Sequence, residues 1–175
     1  IQMVSGPDVA ENLTAAAELL ARAADQGARL AVLPENFALM GRREEEKVAA
    51  RETEGEGPIQ SFLAEQAARH RLWLIGGTIP LRTAGDARRV RAACLLFDDR
   101  GQRVARYDKV HLFDVQVVGS RERYAESATI EPGDRYVFAE TPLGRLGLAP
   151  CYDLRFPEQS RALMECAMDI LPLPA

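Results

Sequence analysis

Short apolar runs, each too brief for a helix, constrain the fold of this sequence more than any other feature. The first is RLAVLP (residues 29–34), which stands between two segments of helical periodicity, DVAENLTAAAELLARAADQG (8–27) and PIQSFLAEQAARHR (58–71). The run LWLIGGTIPL (72–81) predicts a second buried strand. Strands that alternate with amphipathic helices are typical of a sheet that helices cover, so we predict an α/β fold.

The pattern changes to hairpins after residue 90. Two strands joined by a turn at residues 99–101 are predicted in RAACLLFDDRGQRVARYDKVHLF (91–113), and two more in YVFAETPLGRLGLAP (136–150). FPEQSRALMECA (156–167) predicts a helix and DILPLPA (169–175) a last strand. The order predicts mixed sheets in a single domain over residues 1–175. Because the chain starts at Ile1 and stops on an uncovered apolar run, we expect further chain before it and an incomplete C-terminus.

Composition excludes several classes of function. A formal net charge of −4 gives no general attraction to nucleic acid. No apolar run approaches the roughly 20 residues of a membrane span, and no segment resembles a signal peptide. The cysteines at 94, 151 and 166 have no metal-ligand spacing, so we expect free thiols in the cytoplasm and no metal or cofactor. The charged stretch at residues 42–57 predicts a solvated helix and loop.

Three reactive side chains share one layout, at or near the end of an apolar run. Glu35 follows RLAVLP, Lys109 lies in RYDKVHLF, and Cys151 follows RLGLAP. Ligands bind outside the carboxyl ends of strands in such sheets, so the three groups are candidates for one site. Each also has a simpler interpretation: a loop cap or ion pair for Glu35, a surface ion pair for Lys109, and a buried apolar spacer for Cys151, as we expect for Cys94 and Cys166.

The three groups together have the chemistry of acyl transfer. A thiol at a helix start and beside an ammonium is expected to favour the thiolate, and a carboxylate can accept its proton. The ammonium and the N–H after the cysteine can hold an oxyanion. A rival scheme uses His111 as the base, and alternation along a strand would give it the same face as Lys109. Metal catalysis is disfavoured, because no cluster has ligand spacing.

Three segments resemble, in chain order, the catalytic segments of the nitrilase superfamily of carbon–nitrogen hydrolases: LAVLPENF (30–37), YDKVHLFDV (107–115) and GLAPCYDLRFPEQSRAL (147–163). The resemblance implies an αββα sandwich with mixed sheets, truncated at the C-terminus. It also implies Glu35 as general base, Lys109 as oxyanion stabiliser and Cys151 as nucleophile. Glu126, in RYAESATIEPGD (123–134), would be a supporting glutamate, and Tyr152 would donate its backbone N–H to the oxyanion.

The motifs are most similar to the branch that contains omega-amidases and deaminated glutathione amidase. The resemblance implies a thioester route that releases ammonia from a small carboxylate amide, and a homodimer or larger homo-oligomer in the complete protein. Nitrilases and N-carbamoyl hydrolases share the triad, and an inactive relative that binds a partner or an acidic metabolite is the other alternative. We expect Arg155 to anchor its turn through an ion pair rather than to bind a substrate carboxylate. We expect Pro150, an unusual neighbour for the cysteine, to strain or stiffen the corner.

Overall fold

The computed structural model describes residues 1–119 and 122–175. Four α-helices lie in the described part: α1 Val9–Asp25, α2 Glu45–Ala49, α3 Pro58–His70 and α4 Pro157–Glu165. The strands are β1 Leu30–Val32, β2 Trp73–Ile75, β3 Ile79–Arg82, β4 Val90–Phe97, β5 Arg103–Asp108, β6 Asp114–Gln116, β7 Arg123–Ala125, β8 Val137–Thr141 and β9 Gly144–Leu148. Short 3-10 turns occupy Glu126–Ala128 and Cys151–Arg155. No helix among these described residues is long and apolar enough to cross a membrane.

The two long predicted helices are confirmed, and their ends follow from local sequence. Helix α1 begins after Asp8, whose Oδ1 accepts the Glu11 N–H at 3.0 Å and so satisfies one of the free donors of the first turn. Helix α3 begins at Pro58, which has no N–H to leave unpaired at that position. Ala16 and Leu20 of α1 and Leu63 of α3 lie in one buried cluster, so both helices cover the same face of the sheet.

The main sheet is mixed, as predicted. Strands β1 and β2 pair in parallel, whereas β4 pairs antiparallel with β2, β3 and β5. Strands β8 and β9 form the predicted second hairpin, and β6 and β7 form a small third sheet. The ends of β1, β5 and β9 precede Glu35, Lys109 and Cys151, so the sheets determine where these three side chains are delivered.

The prediction of one strand over residues 72–81 was wrong, because the run is broken into β2 and β3. Both pieces pair with the same edge of β4, and the break falls at Gly76, Gly77 and Thr78. Gly77 has φ +51°, and a Cβ atom at this position would lie 1.9 Å from the Pro34 carbonyl oxygen. The missing side chain lets the segment after β1 pass directly over the broken strand.

The core has the layers of an αββα sandwich. On one face of the main sheet, α1 and α3 bury the side chains of β1, β3 and β4. On the other face, Cys94, Leu96 and Tyr107 pack against Leu146 and Leu148 of the β8–β9 hairpin. Helix α4 lies outside the hairpin: a Cβ atom added at Gly147 would be 3.0 Å from the side chain of Leu163. The predicted sandwich is therefore confirmed, and Cys94 is buried in it as expected, whereas Cys166 is only partly buried.

Two segments differ from the sequence prediction in detail. Residues 169–175 make an isolated bridge between Ile170 and Leu146 rather than a strand, since prolines at 172 and 174 have no N–H to donate to a ladder. The charged stretch at residues 42–57 does contain a short exposed helix, α2. Glu52 in this stretch is buried, however, and its carboxylate accepts the backbone N–H groups of Ile59 and Gln60 at 2.5 and 3.1 Å. Glu52 thus caps α3 from a distance.

Replacement of Gly77 by alanine should destabilise the fold more than the same replacement at Gly27. Both glycines have positive φ, which costs an alanine roughly 1–2 kcal/mol. At Gly27 nothing lies within 4 Å of the added Cβ, whereas at Gly77 the Pro34 backbone must move, which adds about 1–3 kcal/mol. Urea unfolding of the two variants measures the difference, and equal losses in the free energy of unfolding would contradict the close approach at Gly77.

Candidate active site

An open cavity of about 910 Å³ lies beside the ends of the strands. The side chains that line it include Glu35, Lys109, Glu126 and Cys151, and its wall also contains Tyr152. Four of the sequence-predicted site residues therefore bring a carboxylate, an ammonium, a second carboxylate and a thiol to one space, and the fifth flanks it.

Lys109 lies at the centre of the cluster. It directly follows β5, and its backbone N–H donates to the Ala92 carbonyl at 3.0 Å, which extends the pairing with β4 by one residue. The side chain is only 1% exposed, and Nζ donates to Glu35 Oε1 at 2.8 Å and to Glu126 Oε1 and Oε2 at 3.1 and 2.9 Å. Burial disfavours the ammonium, but the two carboxylates outweigh it and raise the pKa of Lys109.

The two glutamates are held by their own backbones and neighbours. After Glu35 the chain turns through Asn36 at φ +55°, a conformation that asparagine tolerates, and the Asn36 N–H donates to Thr78 Oγ1 at 3.1 Å. Glu126 begins the 3-10 turn after β7, and its Oε2 accepts the Phe113 N–H at 2.7 Å. The turn at Asn36 fixes the backbone beside Glu35, and the Glu126 carboxylate cannot move without breaking its hydrogen bond to Phe113.

Cys151 occupies a sharp corner between β9 and a 3-10 turn. Its φ is +46°, in the left-handed region that non-glycine residues adopt at a cost of roughly 1–2 kcal/mol. Pro150 itself has an ordinary extended conformation, with φ −78° and ψ 138°, so the strain falls on the cysteine and not on the proline. The Cys151 N–H donates to the Pro174 carbonyl at 2.8 Å. A strained residue at a cavity is a common mark of a functional site.

The surroundings of Cys151 disfavour the thiolate, which the sequence was expected to favour. Burial raises the pKa of the Cys151 thiol to about 11, and the charge of Glu35 and a side-chain hydrogen bond to it act in the same direction. Lys109 lowers the pKa, but its charge is shared between two carboxylates. The resting group near neutral pH is consequently a thiol, and it needs a base within reach to become a nucleophile.

Tyr152 follows Cys151 at the start of the 3-10 turn. The first N–H groups of such a turn have no acceptor within it, and the one on Cys151 already donates to Pro174. The N–H of Tyr152 is therefore the backbone donor of the corner that remains for a ligand. Its ring is fixed edge-on to Phe113, with the ring centroids 5.0 Å apart.

His111 lies in a different environment from Lys109. Strand β5 ends at Asp108, so the alternation that would give the two residues one face does not continue. The His111 Nδ1 atom lies 2.7 Å from Asp153 Oδ1, and its ring stacks on Phe156 with the centroids 3.8 Å apart. His111 does not line the cavity, which disfavours the scheme with a histidine base.

The turn after Cys151 is not anchored as the sequence suggested. Arg155 is exposed and lines the cavity, and no ion pair of the described residues includes it. The anchor is instead Asp153, which is buried and accepts hydrogen bonds from Tyr107 and His111. Sequence reasoning missed Asp153 and Tyr107, because a charged residue in a polar motif gives no signal that it is buried.

Comparison with known proteins agrees with this architecture. The carbon–nitrogen hydrolase family model matches residues 1–173. The chain is 42% identical over 177 residues to a Synechocystis protein named deaminated glutathione amidase, covering 100% of this chain and 64% of that protein. It is 34% identical over 174 residues to human omega-amidase NIT2, covering 99% of this chain and 61% of the human protein. The chain thus spans less than two thirds of the length of these relatives.

Two solved structures extend the agreement to three dimensions. The Caenorhabditis elegans NitFhit protein superposes with a TM-score of 0.86 at 32% identity, covering 99% of this chain and 42% of that one. A mutant of the Nesterenkonia amidase, which carries acrylamide added at its active-site cysteine, superposes with a TM-score of 0.82 at 26% identity, covering 99% of this chain and 64% of that one. On the family match, the identities and the shared fold, this chain belongs to the carbon–nitrogen hydrolase family of the nitrilase superfamily.

Proposed function

We propose that the full-length protein is a cysteine-dependent amidase that releases ammonia from a small carboxylate amide. The observation that carries the proposal is the buried Lys109 ammonium, which hydrogen-bonds Glu35 and Glu126 at the edge of a cavity that also contains the Cys151 thiol. A thiol, a carboxylate base that lines the same cavity and a fixed cation are sufficient for acyl transfer.

The reaction begins with attack of the Cys151 sulfur on the amide carbonyl. Glu35 takes the thiol proton as the C–S bond forms, and Lys109 with the Tyr152 N–H stabilises the oxyanion. Collapse of the tetrahedral species breaks the C–N bond, and Glu35 gives its proton to the departing ammonia, which leaves a thioester. Glu35 then takes a proton from water, the hydroxyl attacks the thioester, and the acid leaves as the thiol is restored.

The raised pKa of Cys151 explains why the reaction needs Glu35 as a base. A thiol with a pKa of about 11 is almost fully protonated at neutral pH, so attack requires proton transfer during the step. Glu126 touches Lys109 and the Phe113 N–H, and its proposed role is to position the lysine.

The side chains that line the cavity favour a substrate with a negative charge. Arg155 is the exposed cation nearest in sequence to Cys151, and it lines the cavity without an ion pair among the described residues. A guanidinium is the side chain best suited to bind a carboxylate through two hydrogen bonds. We infer that the substrate bears a carboxylate at one end and a primary amide at the other, as an ω-amide does. Two of the relatives are named deaminated glutathione amidase and omega-amidase.

We further propose that residues 1–175 act as a single domain of a homodimer or larger homo-oligomer in the cytoplasm. Leu154, in the turn after Cys151, is 56% exposed, and Met164 on α4 is 66% exposed, which supports a contact at this end of the molecule. The three free cysteines are consistent with a reducing compartment.

Substitution of Cys151 by alanine should abolish ammonia release by the full-length protein. Cys166→Ala is the matched control, because Cys166 is partly buried near the end of α4 and does not line the cavity. A coupled ammonia assay on ω-amides of α-keto acids, together with chromatography of the cysteinylglycine released from deaminated glutathione, measures both variants. Turnover that survives Cys151→Ala would refute the proposal.

Alkylation of Cys151 by iodoacetamide should accelerate about tenfold for each pH unit from pH 7 to 10, since only the thiolate reacts and its pKa is about 11. Glu35→Gln removes a charge that raises this pKa, so its curve should shift to lower pH. Mass spectrometry of timed samples, in a Cys166→Ala background, gives both curves. A rate that is flat from pH 7 upward would show that the thiolate is already formed.

Arg155→Gln should raise KM for an amide that bears a carboxylate by about tenfold or more, because a hydrogen bond to a charged group contributes roughly 1.5–3 kcal/mol. The KM for a neutral amide of the same length should change little. Arg161→Gln on α4 is the control, since Arg161 pairs with Glu158 and does not line the cavity. Equal changes in KM for the two amides would rule out carboxylate binding by Arg155.

A further inference from the structure

A buried aspartate connects the segment that carries Cys151 to the segment that carries Lys109. Asp153 is 1% exposed and lies two residues after Cys151. Its Oδ2 accepts the Tyr107 hydroxyl at 2.8 Å, and its Oδ1 accepts the His111 backbone N–H at 3.1 Å and lies 2.7 Å from His111 Nδ1. Tyr107 and His111 lie two residues before and two residues after Lys109, so one carboxylate holds both sides of the lysine.

The donors around Asp153 are themselves fixed. Burial and the neighbouring Asp153 charge raise the pKa of Tyr107 above its ordinary range, so the phenol keeps its proton and donates it. The Tyr107 oxygen in turn accepts the Val110 N–H at 3.1 Å and the Gln159 side-chain amide at 3.2 Å. Because Nδ1 of His111 faces a carboxylate oxygen, this nitrogen carries the proton. Both oxygens of Asp153 therefore accept from groups that cannot easily turn away.

Asp153 does not line the cavity, so it has no route to a substrate atom. We propose that Asp153 is a positioning residue, which fixes the Cys151 thiol relative to the Lys109 ammonium. The inference rests on the amidase function proposed above, because it assigns the hydrogen bonds of Asp153, here called the brace, a role in that reaction.

The backbone of Cys151 explains why a brace is needed. A left-handed φ of +46° costs roughly 1–2 kcal/mol and persists only where the surroundings hold it. The Pro174 carbonyl holds the corner from one side through the Cys151 N–H, and Asp153 holds it from the other. Without Asp153 the corner is free to relax, and a relaxed corner exposes the thiol and moves it from the oxyanion donors.

Loss of Asp153 should lower the rate of turnover but raise the rate of alkylation of Cys151. Turnover requires the thiol, Glu35 and Lys109 to keep their relative positions. A displacement of about 1 Å can lower the rate up to a hundredfold. Alkylation by a small reagent needs only an accessible thiolate. Because burial is the main cause of the raised pKa of Cys151, exposure of the thiol lowers this pKa and speeds alkylation near neutral pH.

The test compares Asp153→Asn with wild type in the full-length protein, in a Cys166→Ala background. We expect kcat for the amide to fall about tenfold to a hundredfold with KM within about twofold. We expect iodoacetamide alkylation of Cys151 at pH 8 to accelerate at least about fivefold. An unchanged kcat, or alkylation that slows in parallel with turnover, would overturn the proposal.

Glu52→Gln is the matched control, because Glu52 is also a buried carboxylate that accepts N–H groups, at the start of α3, and it does not line the cavity. Its loss should lower the thermal midpoint but leave kcat and alkylation near wild-type values below that midpoint. If Glu52→Gln lowers kcat as much as Asp153→Asn does, loss of stability explains the effect and the positioning role is refuted.

Tyr107→Phe is the second variant, for the case in which Asp153→Asn does not fold. It removes one of the hydrogen bonds to Asp153 and keeps the ring in the core, so kcat should fall about threefold to tenfold with KM unchanged. Wild-type kcat in this variant would count against the brace. If the wild-type protein hydrolyses none of these amides, the amidase function fails, and the alkylation rates alone then decide whether Asp153 holds the thiol.

Discussion

The buried ammonium of Lys109 is the interaction on which the rest of the site depends. An ammonium that is 1% exposed is tolerated only because carboxylates from two other parts of the chain neutralise it, Glu35 after β1 and Glu126 after β7. Loss of one partner of a buried pair typically costs about 3–5 kcal/mol, so the three residues support one another's placement. The ion pairs of Lys109 with Glu35 and Glu126 hold the three segments together, and they also place the Lys109 ammonium beside the cavity.

The positions of Glu35 and Cys151 could be predicted from sequence because each follows a short apolar run, and that of Lys109 because it follows the second strand of a predicted hairpin. β1, β5 and β9 end immediately before, or within a few residues of, Glu35, Lys109 and Cys151, and the ends of such strands converge. Hydrophobic periodicity likewise identified α1 and α3, since one face of each is buried against the sheet. Glu126 was found only by resemblance, because it lies in no pattern that marks a site, whereas the N–H of Tyr152 was already a candidate as the donor that follows the cysteine.

The remaining features depend on contacts between distant segments, which local patterns do not contain. The Pro34 backbone passes over the break at Gly77, and Asp153, not Arg155, anchors the turn after Cys151. The protonated state of Cys151 was missed for a related reason. Neighbouring charges are visible in a motif, whereas burial, the largest cause of its raised pKa, is a property of the folded chain.

The left-handed backbone conformation of Cys151 limits which amino acids can occupy this position. A side chain branched at Cβ is strongly disfavoured at positive φ, whereas an unbranched one pays only the general steric cost. Serine can therefore replace Cys151 without a change of backbone, but threonine cannot. An alcohol nucleophile at this position is accordingly limited to the primary alcohol of serine, so the backbone conformation restricts the nucleophile before any chemistry takes place.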